Sequence, residues 1–159
     1  MIQDNRHITI DASSATVFHL IDTMPNKFPV YALLETKPFL FLRLLLVDGF
    51  RSAWQAVKIK APVDELKFEE GDTLGPFLLD ERIESRKYFF TLKSFFFNCR
   101  TGYVMADDNT STILHFDLIA ENPNLVEKIW WFFVKPIHGL FANKVLSNLK
   151  NRVERIECE

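Results

Sequence analysis

Glycine is scarce in this chain. The five among 159 residues are Gly49, Gly71, Gly75, Gly102 and Gly139, and none has the spacing of a dinucleotide fingerprint or a Walker loop. A Gly-rich cradle for phosphate is therefore excluded. Cysteine is scarcer still: Cys99 and Cys158 are too few for a disulfide framework and read as reduced thiols of a cytoplasmic protein. Four histidines, His7, His19, His115 and His138, stand far apart with no neighbouring Cys or carboxylate pattern, so no metal site is expected. A cationic excess is missing too. Nineteen Lys and Arg face 21 Asp and Glu, a formal net charge of -2, which argues against a nucleic-acid partner. The longest apolar runs are 39–47, broken by Arg43, and 129–134. Both fall short of the ~20 residues that span a bilayer. The polar segment 1–10 lacks the basic-then-apolar order of a secretion signal. A soluble protein is expected, with peripheral membrane contact left open.

Phenylalanine is abundant: 16 Phe accompany 3 Tyr and 3 Trp. Each buried aromatic ring removes ~150–250 Å² from water. So many rings suit either an ordinary core or an apolar ligand cavity, whose walls are largely aromatic and aliphatic.

The elements follow from periodicity. Residues 7–11 alternate as a short strand, and Ser13 or Ser14 caps a helix carrying Val17, Phe18, Leu20 and Ile21, which ends before Pro25. Residues 38–47 have a helix's density of Leu and Phe, and 54–60 alternate as a strand. From Leu66 strands come in quick succession, separated by turn signals at Glu70-Gly71-Asp72, Gly75-Pro76, Ser85-Arg86 and Asp107-Asp108-Asn109-Thr110. Gly102 marks a candidate bulge. Asn122-Pro123-Asn124 then caps a long last helix, 124 to about 156. Its expected stripe runs from Leu125, Ile129, Phe132 and Phe133 through Ile137, Leu140 and Phe141 to Val145, Leu149 and Val153, and Pro136 should kink or split it. No repeat, low-complexity stretch or linker divides the chain, so a single domain over 1–159 is expected. The fold class is α+β: a curved antiparallel sheet wrapped around the C-terminal helix.

The inward strand positions supply the expected lining of an apolar space beneath that helix. Leu79, Glu81 and Ile83 share one face with Phe77; Tyr88 and Phe90 follow on the next strand, and Leu114 and Phe116 on a later one. Between them Phe97 and Tyr103 point one way. Arg100 alternates away from them unless Gly102 shifts the register, and Arg100 is the expected partner of a buried Glu81. Phe133, His138 and Phe141 would close the space from the helix, with His138 at its mouth. Trp130 and Trp131 lie on adjacent helical faces, so one must turn from the core. No nucleophile–base or acid–base constellation identifies catalytic residues. Ser13 and Ser14 are accounted for by capping.

Two segments, Phe97-Asn98-Cys99-Arg100 and Lys135-Pro136-Ile137-His138-Gly139-Leu140, together with the order of elements, resemble the START-like (SRPBCC, polyketide cyclase-like) superfamily of helix-grip proteins. Within it the chain is similar to uncharacterised bacterial domains found alone or appended to NAD-binding reductase-like domains. Where that family has an acidic-acidic-His pattern, this chain reads Leu92-Lys93-Ser94-Phe95. The resemblance implies a fold and an apolar ligand class, with no reaction and no cofactor. The expected function is binding or carriage of a small apolar or amphipathic molecule, lipid-like or aromatic. The alternatives are a cyclase- or dehydratase-type enzyme, or a ligand-free interaction module that forms a homodimer.

Overall fold

The computed structural model describes residues 1–23, 69–74, 77–92, 97–108 and 110–157, together with Pro38, Phe41, Leu42, Leu45, Phe50, Arg51, Ala53 and Trp54. The expected strand at 54–60 and most of the expected helix at 38–47 lie outside them, although those single described residues, Trp54 included, are helical. In chain order the elements are β1 (Ile2–Ile10), α1 (Ser14–Asp22), β2 (Thr73–Leu74), β3 (Phe77–Ile83), β4 (Lys87–Leu92), β5 (Cys99–Asp108), β6 (Ser111–Ala120) and α2 (Leu125–Glu157). The strands form one antiparallel sheet in the order β1-β6-β5-β4-β3-β2. The return of β1 to the far edge, beside β6, leaves α2 lying chiefly over β1. This is the α+β helix-grip arrangement, as expected.

Local chemistry sets most boundaries. Ser13 caps α1, its hydroxyl accepting from the Thr16 N–H at 3.1 Å. Val17, Phe18 and Ile21 bury the inner stripe of that helix. Asn124 and Glu127 form a reciprocal capping box at the start of α2: the Glu127 N–H donates to Asn124 Oδ1 at 2.9 Å, and the Asn124 N–H donates to Glu127 Oε2 at 2.6 Å. Strand β6 alternates without a fault, burying Thr112, Leu114, Phe116, Leu118 and Ala120. The Asp108–Ser111 pairing closes the hairpin expected between β5 and β6.

Two features of the sheet differ from the sequence reading. The irregularity lies in β3, where Leu79 pairs with Phe90 and Glu81 with Phe89, leaving Asp80 as the extra residue. One extra residue flips everything beyond it. Leu79 points inward, Glu81 and Ile83 point outward, and Arg82 comes to the inner side at the edge, where it pairs with Asp22 at 2.8 Å. Gly102 stays in regular register between Phe89 and Asp117. Its role is close approach: a Cβ there would stand 2.1 Å from the Tyr88 carbonyl oxygen.

Helix α2 corrects a third expectation, the face that its first half buries. It runs through Pro136 without dividing. The carbonyl that Pro136 leaves unbonded belongs to Phe132, and both residues face solvent, where water can serve it. The buried side of the helix is Trp131, Val134, His138, Phe141, Ala142, Val145, Leu146, Leu149 and Val153. From Phe141 onward the expected stripe holds. Before it, Leu125, Ile129, Phe132, Phe133 and Leu140 lie on the opposite side and are 55–76% exposed. At ~3.6 residues per turn, two apolar stripes on opposite faces of one helix both step by three and four, and the sequence reading joined the outer one to the inner one.

Candidate functional site

Beneath α2 the inward strand positions meet tightly. Leu79, Tyr88, Phe90, Tyr103, Leu114, Phe116 and Phe141 are each at most 1% exposed. Phe116 packs against Tyr103 and Phe141 with ring centroids 5.3 and 6.4 Å apart, and Tyr88 lies 5.5 Å from Phe90. Rings so closed leave no water-sized space against themselves. Burial comes first among the causes that push the Tyr88 hydroxyl's pKa well above the ordinary phenolic value, with the charge of Asp22 second.

The two segments that carry the superfamily resemblance are joined by one indole. Phe97, leading into β5, stacks on Trp131 at 5.7 Å and 5°, and Trp131 lies 5.4 Å from the His138 ring. Of the tryptophan pair, Trp131 turns inward and Trp130 is half-buried. His138 also touches the rings of Phe116 and Phe141 and is 2% exposed. Its Nε2 stands 3.8 Å from Oδ2 of Asp4, beyond hydrogen-bond length. Asp4 is itself 6% exposed and receives both Nε and Nη2 of Arg6, at 3.1 and 3.2 Å. An acid–base pair must reach a substrate proton. His138 is walled in by rings, and the buried Asp4 holds the Arg6 guanidinium in place.

Asp4 and Arg6 were missed in the sequence. Strand β1 begins at Ile2, earlier than expected, and its inward face reads Ile2, Asp4, Arg6, Ile8, Ile10. The signal was there, since the alternation of Ile8 and Ile10 extended backward lands on both polar residues. Gly139 completes the arrangement: a Cβ at that position would come within 3.0 Å of Arg6 Nη2, so the guanidinium rests against bare helix backbone.

Arg6 then reaches the surface. Together with Phe132, Phe133, Lys135 and Pro136 it lines a solvent-open hollow of about 620 Å³ beside α2. That volume is within the ~300–1,000 Å³ usual for small-molecule sites. Three apolar side chains and two cations line it. A second open hollow, about 400 Å³, lies at the end of the sheet between Arg100, Ile119, Glu121, Pro123 and Glu127 and is of mixed character.

Four of the expected lining residues are placed away from the interior. Phe133 is on the outer face of α2 and Ile83 is 43% exposed. Glu81 and Arg100 do pair, at 3.0 Å, but on the outer face of the sheet, where Lys87 also reaches Glu81 at 3.3 Å. The bulge puts Glu81 on the same side as Asp80, whose Oδ2 accepts from Arg100 Nε at 3.0 Å and from the Thr91 hydroxyl at 2.7 Å. Partial burial raises the Glu81 carboxyl's pKa, while the hydrogen bonds and charges of Arg100 and Lys87 outweigh it and hold the group below its ordinary value. Among the described residues no group of three His, Cys, Asp or Glu side chains is disposed to hold a metal ion. No described helix is long and apolar enough to cross a membrane.

No protein-family model matches the chain, and no curated protein matches it in sequence. Solved structures do. The protein of unknown function SA2116 from Staphylococcus aureus is similar over 99% of this chain and 96% of its own, at 7% identity and a TM-score of 0.50. The Aha1 dimer from Colwellia psychrerythraea matches over 94% of this chain and 97% of its own, at 11% identity and a TM-score of 0.46. TTHA0849 from Thermus thermophilus matches over 98% and 99%, at 11% identity and a TM-score of 0.42. At these identities the likeness is one of fold, and it does not single out a family.

Proposed function

We propose that the protein binds a small amphipathic molecule, lipid-like with an anionic head, in the open hollow beside α2. One observation carries this reading: Arg6, fixed by Asp4, and Lys135 flank an apolar wall of Phe132, Phe133 and Pro136. Each ~100 Å² of apolar tail taken from water there contributes ~2.5 kcal/mol. The two cations orient the head. The START-like resemblance supports the same ligand class. A second reading keeps the ligand in the interior lined by Leu79, Tyr88, Phe90, Phe97, Tyr103, Leu114, Phe116, His138 and Phe141. The concentration of rings there favours it, and it requires those buried rings to part.

A dansylated undecanoic acid below its micellar concentration tests both. The hollow reading expects enhanced dansyl emission, displacement by decanoate, and affinity at least fivefold weaker in Lys135→Glu. Phe116→Trp should leave the response unchanged. No emission change with the unmodified chain, or a response that follows Phe116→Trp and ignores Lys135→Glu, would rule the hollow out.

A further inference from the structure

The apolar wall of the hollow belongs to a longer surface. Leu125, Ile129, Phe132, Phe133, Pro136 and Leu140 succeed one another at three- and four-residue steps along the solvent side of α2. Phe132 is 76% exposed, Leu125 72%, Phe133 64% and Leu140 61%. Contiguous apolar surface of this kind marks a binding face. The surface is bounded: beyond Leu140 the same side of the helix reads Asn143, Ser147 and Asn151, all exposed. It spans 16 residues, ~24 Å at 1.5 Å per residue.

Its rim has one sign of charge. Lys128 and Lys135 flank the stripe on one side, Lys144 on the other, and Arg6 stands at the hollow. Between Leu125 and Lys144 the one acidic residue is Glu127, whose carboxylate is turned back onto the Asn124 N–H in the capping box. The chain as a whole carries a formal charge of -2, so this is a local cationic frame around an aromatic and aliphatic centre. Helices that lie in the plane of a bilayer surface share that composition: Phe and Leu toward the acyl boundary, Lys and Arg toward the phosphates.

We infer that the outer face of the first half of α2 docks on an anionic lipid bilayer, with Phe132 and Phe133 at the acyl boundary and Arg6, Lys128, Lys135 and Lys144 among the headgroups. Charge decides between this occupant and a second copy of the chain. A two-fold dimer through the stripe would bring the same cationic frame against itself, whereas an anionic surface neutralises it. The inference rests on the amphipathic-ligand reading in one respect: docked this way, the hollow opens against the leaflet that would supply its ligand.

Co-sedimentation of the full chain with vesicles tests it. We expect binding to 3:1 phosphatidylcholine:phosphatidylglycerol vesicles at least tenfold stronger than to phosphatidylcholine alone. Each cation removed should weaken it about fivefold at low salt. The double variant Ile129→Asp/Leu140→Asp changes the stripe outside the hollow. It should melt like the unmodified chain, lose vesicle binding at least tenfold, and keep its response to the dansylated acid. Equal binding to the two vesicle types, or full binding by the double variant, overturns docking. So does a dimer seen by light scattering that Ile129→Asp dissolves, in a chain that ignores vesicles. Loss of the dansyl response with vesicle binding intact removes the hollow reading and leaves docking standing.

Discussion

The two halves of α2 are built to different rules. From Phe141 to Glu157 the helix has one apolar side, and Phe141, Val145, Leu149 and Val153 bury it against the rest of the molecule. From Leu125 to Leu140 it has two. The inner one packs Trp131, Val134 and His138; the outer one lies in solvent. The second half shows what folding demands of this helix. Folding has no use for the outer apolar side of the first half, and keeping it there costs solubility. Among the described residues that surplus is the observation on which the docking proposal rests.

The largest effect should come from the folding side. Leu149→Ala, at a position 1% exposed, should cost about 3 kcal/mol in urea denaturation through transfer loss and the cavity left behind. Leu140→Ala, on the outer face, should cost less than ~0.5 kcal/mol. Equal costs would erase the distinction between the two faces. Next in size is Asp4→Ala. It removes the acceptor that holds Arg6, and hydrogen bonds to charged groups are worth ~1.5–3 kcal/mol, so a loss of about 2 kcal/mol is expected. The same change should weaken binding of the dansylated acid, because Arg6 is no longer fixed at the hollow. Asn124→Ala should cost about 1 kcal/mol and fray the start of α2, lowering the helical signal in circular dichroism ahead of the main thermal transition.

The smallest effect sharpens the contrast between buried and half-exposed ion pairs. Glu81 and Arg100 are 28% and 41% exposed, so Glu81→Gln should cost less than ~1 kcal/mol. Its sign with pH is determined. The folded carboxyl titrates below its ordinary 4.5, so its contribution is present above that value and is lost as pH falls through the lower folded value. Unfolding curves of the variant and the parent should therefore converge in acid.

Much of this architecture was legible in the chain. The Ser13 cap, the inward faces of β4, β5 and β6, the Asp108–Ser111 hairpin and the Asn124 cap follow from alternation and turn chemistry. Three things were not. Leu79-Asp80-Glu81 contains no glycine or proline, so nothing local announces a bulge, and the Glu81–Arg100 pair was placed on the wrong side of the sheet for that reason. The first half of β1 lacks a strand's apolar pattern because Asp4 and Arg6 stand at inward positions, where they satisfy each other. Periodicity assigns the outer stripe of α2 to the core because it reports spacing, and spacing is the same on both faces of a helix. Alternation also says which side chains turn inward without saying how much room they leave. How fully Tyr88, Phe90, Tyr103, Phe116 and Phe141 occupy the space between them emerges only from the packed rings.

The difference between the two halves can be read directly with one reporter. In a Cys158→Ser background, an environment-sensitive NBD label is placed at Leu140→Cys on the outer stripe or at Asn151→Cys on the same side of the second half, with Cys99 buried and out of reach. On adding phosphatidylglycerol-containing vesicles, the label at 140 should shift to the blue and brighten while the label at 151 stays as in buffer. Equal shifts at both positions, or none at either, would contradict docking through the first half of α2.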